Sequence, residues 1–198
     1  MSNELVQLQF NDPAPDLWVR TAEGKQIRLS SLWAERPLVL VFTRHFGCTQ
    51  CKEMLDQFVH SHEDINKAGL DIASVMQGSP EASLEFCKKY APNILCLSDP
   101  ERELYHAYGL GRGNFYQTVL SPEVIRSVMD AGKKGYHLES PPKGQDAMQM
   151  SGIFIIGTDG RIRLPYYYDN IADHPTVNLL LSGVLSTGWD KPFTSSLG

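Results

Sequence analysis

Cys48 and Cys51 stand two residues apart in the run Thr43-Arg44-His45-Phe46-Gly47-Cys48-Thr49-Gln50-Cys51-Lys52. A Cys-x-x-Cys pair serves either thiol–disulfide chemistry or half of a metal site. An apolar, β-branched run, Leu38–Thr43, precedes the pair, and a helix is expected to begin at or next to Cys48. The first N–H groups of a helix lack internal partners and carry partial positive charge, so a thiolate placed there is stabilised and its pKa falls. Cys51 then lies on nearly the same helix face, where a small disulfide closes with little backbone movement. Arg44 adds a permanent positive charge nearby, and His45 a group able to give or take a proton. The candidate catalytic residues are therefore Cys48, Cys51, Arg44 and His45, with Cys48 the attacking and more exposed sulfur.

Zinc is the competing reading, and it needs two further ligands in a recognisable arrangement. The remaining cysteines, Cys87 and Cys96, are separated by eight residues, one on a helix face and one inside a strand. They form no second close pair and are expected to pack as free, small apolar groups. His60 and His62 fall too far along the helix to join both cysteines. No metal and no cofactor is expected.

The elements that must position the pair follow from local signals. Leu17–Thr21 and Gln26–Leu29 read as a β-hairpin turning at Gly24, and Leu38–Thr43 as a strand covered on both faces. A helix follows from Cys48 to about His62, then a strand over Leu70–Gln77. Ser79-Pro80-Glu81 starts a helix running to about Tyr90, and Ile94–Leu97 is a third buried strand. Asp99-Pro100-Glu101 repeats the start signal, and Gly109 suits a left-handed stop. Ile153–Ile156, the turn Gly157–Gly160 and Arg161–Tyr168 form a second hairpin, whose return strand Pro165 assigns to an edge. A last helix near His174-Pro175 places Val177, Leu180, Leu181 and Val184 on one face, and the Trp189–Phe193 tail could dock across a groove or fray. This alternation predicts an α/β sandwich with a mixed sheet.

Residues 111–151 break the rhythm. Ser121-Pro122-Glu123 starts a helix with an apolar face at Val124, Ile125, Val128 and Met129, and glycines and prolines surround it. A loop of this length inside a compact domain is usually functional or an interface, so we read it as an insertion that partly covers something. Gly109-Leu110-Gly111-Arg112-Gly113 follows a helix and reads as a turn, not a phosphate loop. Tyr166–Tyr168 reads as an edge-strand aromatic patch.

With 198 residues, 42% hydrophobic and 10% aromatic, the chain fits one domain over 1–198 with a core that needs no disulfide scaffold. A net charge of −5 excludes a dedicated nucleic-acid binder, and no apolar run is long enough to cross a bilayer. Without a readable export signal, a soluble, cytoplasmic protein with no membrane partner is the expectation.

Several landmarks resemble the peroxiredoxin-like (alkyl hydroperoxide reductase/thiol-specific antioxidant) branch of the thioredoxin-like superfamily. Ala14–Leu17 with Leu29–Leu32 is similar to its opening hairpin, and Leu38–Thr43 to its central strand. Ser98-Asp99-Pro100, Tyr108-Gly109 and Gly152–Gly160 are similar to its later landmarks. The segment from Arg44 to Cys51, with the insertion before Gly152, resembles the subgroup related to prostamide/prostaglandin F synthase. The resemblance implies a thioredoxin-like three-layer α/β/α sandwich with a mixed central sheet, an N-terminal β-hairpin and the insertion at 111–151.

Two features depart from that branch. Peroxiredoxins carry a threonine three residues before the attacking cysteine and a proline four before that. With Cys51 as attacker those positions hold Cys48 and Arg44, and with Cys48 they hold His45 and Val41. The arginine expected just before Gly152 is Ser151, leaving Arg44 as a substitute. Thioredoxins carry a cis-proline near here, where this chain has Gly152.

The expected activity is that of a thiol-dependent oxidoreductase. Cys48 attacks a peroxide or a disulfide, Cys51 resolves, and thioredoxin or a glutathione-type thiol resets the pair. The alternative is a redox-responsive binding protein that uses the pair as a switch, with 111–151 as a partner or homodimer surface.

Overall fold

The computed structural model describes residues 5–178 and 180–181. Its strands are β1 (Trp18–Thr21), β2 (Gln26–Arg28), β3 (Leu38–Phe42), β4 (Asp71–Met76), β5 (Leu95–Ser98), β6 (Gly152–Ile156) and β7 (Ile162–Tyr167). Helices α1 (Thr49–His60), α2 (His62–Lys67), α3 (Pro80–Tyr90), α4 (Glu103–Ala107) and α5 (Pro122–Lys133) connect them. One sheet runs in the order β2-β1-β5-β4-β3-β6-β7. Its centre, β3-β4-β5, is parallel, and the remaining pairings are antiparallel.

All five residues of β3 are buried, as an unalternated apolar run requires when both faces of a strand are covered. Val39 and Val41 point to one layer with Met54, Leu55 and Phe58 of α1, Phe86 of α3 and Val124 of α5. Leu38, Leu40 and Phe42 point to the other, with Leu29, Trp33, Leu104, Tyr105 and Tyr108. The result is the expected three-layer arrangement with helices on both faces of a mixed sheet. Both hairpins form as expected, with Gly24 at φ +85° and β7, which carries Pro165, at the sheet edge.

Four local expectations need correction. The helix after Cys48 stops at His60, and a bend at Ser61 starts α2, which continues to Lys67. The Asp99-Pro100-Glu101 signal acts at longer range, because α4 begins only at Glu103 after Arg102 adopts a left-handed φ of 59°. The Asp99 carboxylate accepts from the N–H groups of Glu103, Leu104 and Tyr105, which satisfies three of the donors a helix start leaves over. Cys87 and Cys96 are not free: they form a disulfide between α3 and β5, with Cα atoms 6.7 Å apart. The chain reverses between them, so the helix face and the strand position meet although they are distant along the sequence. Finally, the expected apolar face of α5 is only partly used, with Val124 buried but Ile125 and Met129 open. Backbone at 177–178 and 180–181 is helical, which accommodates Val177, Leu180 and Leu181. Val184 and the Trp189–Phe193 tail lie outside the described residues. Among those described, no helix is long and apolar enough to cross a membrane.

Candidate active site

β3 delivers the chain to the site and α1 takes it away. Cys48 is the N-cap of α1, with extended backbone and its sulfur accepting from the Cys51 N–H at 3.4 Å. Few residue types cap a helix with sulfur, and here the cap places Sγ on the exposed dipoles of the first turn. The two sulfurs are 2.9 Å apart, with the Cys51 thiol donating to Cys48. Arg44 folds back over the pair: its Nη1 lies 3.8 Å from Cys48 Sγ, and its backbone N–H reaches Cys51 Sγ at 3.3 Å.

These contacts divide the thiols into unequal roles. Burial pushes the Cys48 thiol up, but the Cys51 hydrogen bonds and the Arg44 charge outweigh it and bring the thiol down to about 6. Burial raises Cys51 well above the ordinary thiol range, and the neighbouring Cys48 thiolate raises it further. Cys48 is thus the thiolate and Cys51 the thiol that donates to it. His45 is held neutral, its pKa lowered to about 4 by burial and then by the Arg44 and Lys52 charges.

Cys48 was expected to be the more exposed sulfur; instead it is 1% exposed and Cys51 4%. The cover is a strap formed by residues 137–149 of the insertion. Arg44 donates through Nε to the Gln149 carbonyl at 3.1 Å and through Nη2 to that of Ala147. Gln77 donates to the carbonyls of Arg44 and Asp146 and accepts from the Asp146 N–H. The Phe46 N–H reaches Gln145 Oε1 at 2.8 Å, and the Glu139 N–H reaches the Gly47 carbonyl at 3.1 Å. Buried Lys52 holds the same strap through the His137 carbonyl and the Glu139 carboxylate, at 3.3 and 3.0 Å.

All four candidate residues come together here. Arg44, which a surface ion pair could equally have claimed, is buried. The residues missed from sequence are Gln50, Lys52, Gln77, Asp146 and Gln149. Gln50 is buried with Oε1 3.7 Å from Cys48 Sγ and Nε2 unpartnered. Its position inside the Cys-x-x-Cys motif was the one signal available. His60 sits at the far end of α1, bonded to the Asp56 carbonyl, and the sulfurs of Cys87 and Cys96 are spent on each other. Among the described residues no cluster of three or more His, Cys, Asp or Glu side chains could hold a metal ion.

A cleft of about 580 Å³ opens against Arg44 and His45, and neither sulfur lines it. Arg44 and His45 form its floor, and Val119, Val124, Ile125, Val128, Met129 and Leu138 supply apolar walls. The insertion therefore both straps the pair and walls the cleft that reaches Arg44.

A dithiol at the head of the helix that leaves the central strand of a mixed sheet, layered on both faces, defines a thiol oxidoreductase of thioredoxin-like fold. The model of the AhpC/TSA family matches residues 10–164, and the chain belongs to that family of peroxiredoxin-like enzymes. It is similar to peroxiredoxin-like 2C of Mus musculus, 27% identical over 172 residues that span 84% of this chain and 76% of the relative. Prostamide/prostaglandin F synthase of Salmo salar is 25% identical over 167 residues, covering 79% and 78% of the two chains. The fold is shared with a peroxiredoxin-like protein from Aquifex aeolicus at a TM-score of 0.64 and 16% identity, over 91% of this chain and 88% of that one. Membership implies a peroxide as oxidant and a thiol as reductant.

Proposed function

We propose that the protein reduces hydroperoxides through Cys48, with Cys51 as the resolving thiol. The observation that carries this reading is the sulfur pair at 2.9 Å, with the charged guanidinium of Arg44 against Cys48 while Cys51 meets only the Arg44 backbone N–H. The Cys48 thiolate attacks the distal peroxide oxygen and the O–O bond breaks. Cys48 becomes a sulfenic acid, and the alkoxide leaves and takes a proton from water. The Cys51 thiol then condenses with the sulfenic acid, forming the 48–51 disulfide and releasing water. A dithiol of the thioredoxin type, or two glutathione-type thiols, reduces that disulfide and is itself oxidised. Arg44 supplies positive charge where negative charge sits before attack and develops on the leaving oxygen. His45, neutral and at the cleft floor, contributes a hydrogen-bonding edge in place of a charged acid. Turning the Gln50 amide over would bring its unpartnered Nε2 to the thiolate while keeping a bond to Thr49.

The apolar walls favour a hydroperoxide borne on an apolar body over hydrogen peroxide, since such a body fills the cleft while its O–O end meets Arg44. Protein disulfides are the less favoured substrate, because both sulfurs lie beneath the strap. A single domain acting in a compartment that supplies thiol reductant suits a pair that must be reset by thiols, and burial shields the Cys87–Cys96 bond from that reductant. The exposed apolar residues Phe115 and Leu120 of the insertion, which do not line the cleft, are where a homodimer or partner contact would form.

Single-turnover peroxide reduction followed by mass spectrometry tests the assignment. Cys48→Ser is expected to abolish turnover with cumene hydroperoxide. Cys51→Ser is expected to consume one equivalent and stop as a sulfenic acid or mixed disulfide at Cys48. Wild-type turnover in both variants would sink the proposal, as would a first oxidation at Cys51.

A further inference from the structure

The Cys87–Cys96 disulfide is unused by the chemistry above, yet it lies at the foot of two supports of the active loop. The first support runs through α3. Phe86, the residue before Cys87, stacks on Phe46 of the loop before Cys48, with ring centroids 4.5 Å apart and planes 16° from parallel. The Phe46 ring also packs on Gly78, where any Cβ would overlap it. One turn further along α3, Tyr90 lies 5.4 Å from the Lys52 ammonium that holds the strap. The second support runs through β4. Cys87 Sγ touches Met76 Sδ at 3.4 Å, and the next residue, Gln77, binds both Arg44 and Asp146. One covalent bond thus anchors the helix turn and meets the strand end from which the Cys48 loop and its cover are held.

We infer that the Cys87–Cys96 pair is a second redox site whose oxidised form positions the Cys48 loop beneath its strap. Reduction by a dithiol breaks the 87–96 bond, leaves two thiols and converts the reductant to its disulfide. Both sulfurs are buried, so this exchange needs α3 to lift from β5, and that movement carries Phe86 away from Phe46. The consequence is a Cys48 that is easier to reach while Arg44 still fixes its charge. The inference rests on Cys48 being the reactive sulfur, but its test does not depend on turnover.

The test compares wild-type protein with Cys87→Ala/Cys96→Ala and with Phe86→Ala, which keeps the disulfide. Alkylation of Cys48 by iodoacetamide is timed at about pH 8, where its thiol is ionised. Both variants are expected to react about fivefold faster, the size of a local opening made about 1 kcal/mol easier, with the pH midpoint unchanged. Hydrogen exchange is expected to quicken over 137–149 and not in β3. Wild-type alkylation rates in both variants would overturn the inference. So would faster exchange in β3, which marks general loosening, or free thiols at 87 and 96 in protein purified without reductant. Absence of peroxide turnover in the wild-type protein with the alkylation response intact would count against the catalytic reading and leave this one standing.

Discussion

Replacing Arg44 by Met removes the one full positive charge that touches the Cys48 thiolate among the described residues. The Nη1–Sγ separation is 3.8 Å. At that distance, with an effective dielectric of about 20, the attraction is roughly 4 kcal/mol, or about three pKa units. Water entering the vacated space recovers part of this, so a rise of about one to two units is expected. From a starting value of about 6, the thiolate fraction at pH 7 falls from about nine-tenths to between about a half and a tenth. Iodoacetamide labelling of Cys48 in the variant should then be roughly two- to ninefold slower at pH 7 and approach the wild-type rate near pH 9, while peroxide reduction stays slower at every pH because the leaving oxygen also loses its cation. Arg44→Lys keeps the charge and loses the fork that grips the Ala147 and Gln149 carbonyls. It is expected to keep the midpoint within about half a unit of wild type while loosening the strap. The assay is the pH dependence of iodoacetamide labelling at Cys48, read by peptide mass. An Arg44→Met midpoint that coincides with wild type would show that the cysteine hydrogen bonds alone hold the thiolate, and the electrostatic argument would fail.

Two further outcomes follow from the same geometry. His45 has a folded pKa of about 4 against an ordinary 6.5, so the unfolded chain takes up its proton first as the solution is acidified. Stability should therefore be lost as pH falls from 6.5 through 4, by at most about 3 kcal/mol. Urea midpoints at neutral and acid pH should converge in His45→Gln, and an unchanged slope in that variant would refute the assignment. A Cβ on Gly47 would overlap the Glu139 carbonyl oxygen, so Gly47→Ala should push the strap off and speed Cys48 alkylation by about an order of magnitude. Unaltered labelling would mean that the strap does not limit access.

Much of the fold was legible because its signals are local. The run Leu38–Phe42 is apolar without alternation, which only a doubly covered strand satisfies, and Ser79-Pro80 and Ser121-Pro122 mark helix starts that the structure reproduces. The Asp99 signal misled by a few residues because a carboxylate can cap a helix that begins beyond the next turn.

The sequence by itself determined the strand–turn–helix frame, the reactive pair within it and the cation four residues before Cys48. Each of these depends on residues within about one turn of each other, so spacing and side-chain type suffice. Tertiary structure alone decided how far burial sets the two thiols apart, what covers them and where the remaining cysteines go. Arg44 reaches carbonyls more than a hundred positions away, Lys52 meets Glu139, and Cys87 meets Cys96 across a chain reversal. Those contacts arise because packing two layers onto one sheet brings distant backbone groups to the same buried volume. There a polar group left without a partner is costly, and no local pattern records which partner it finds.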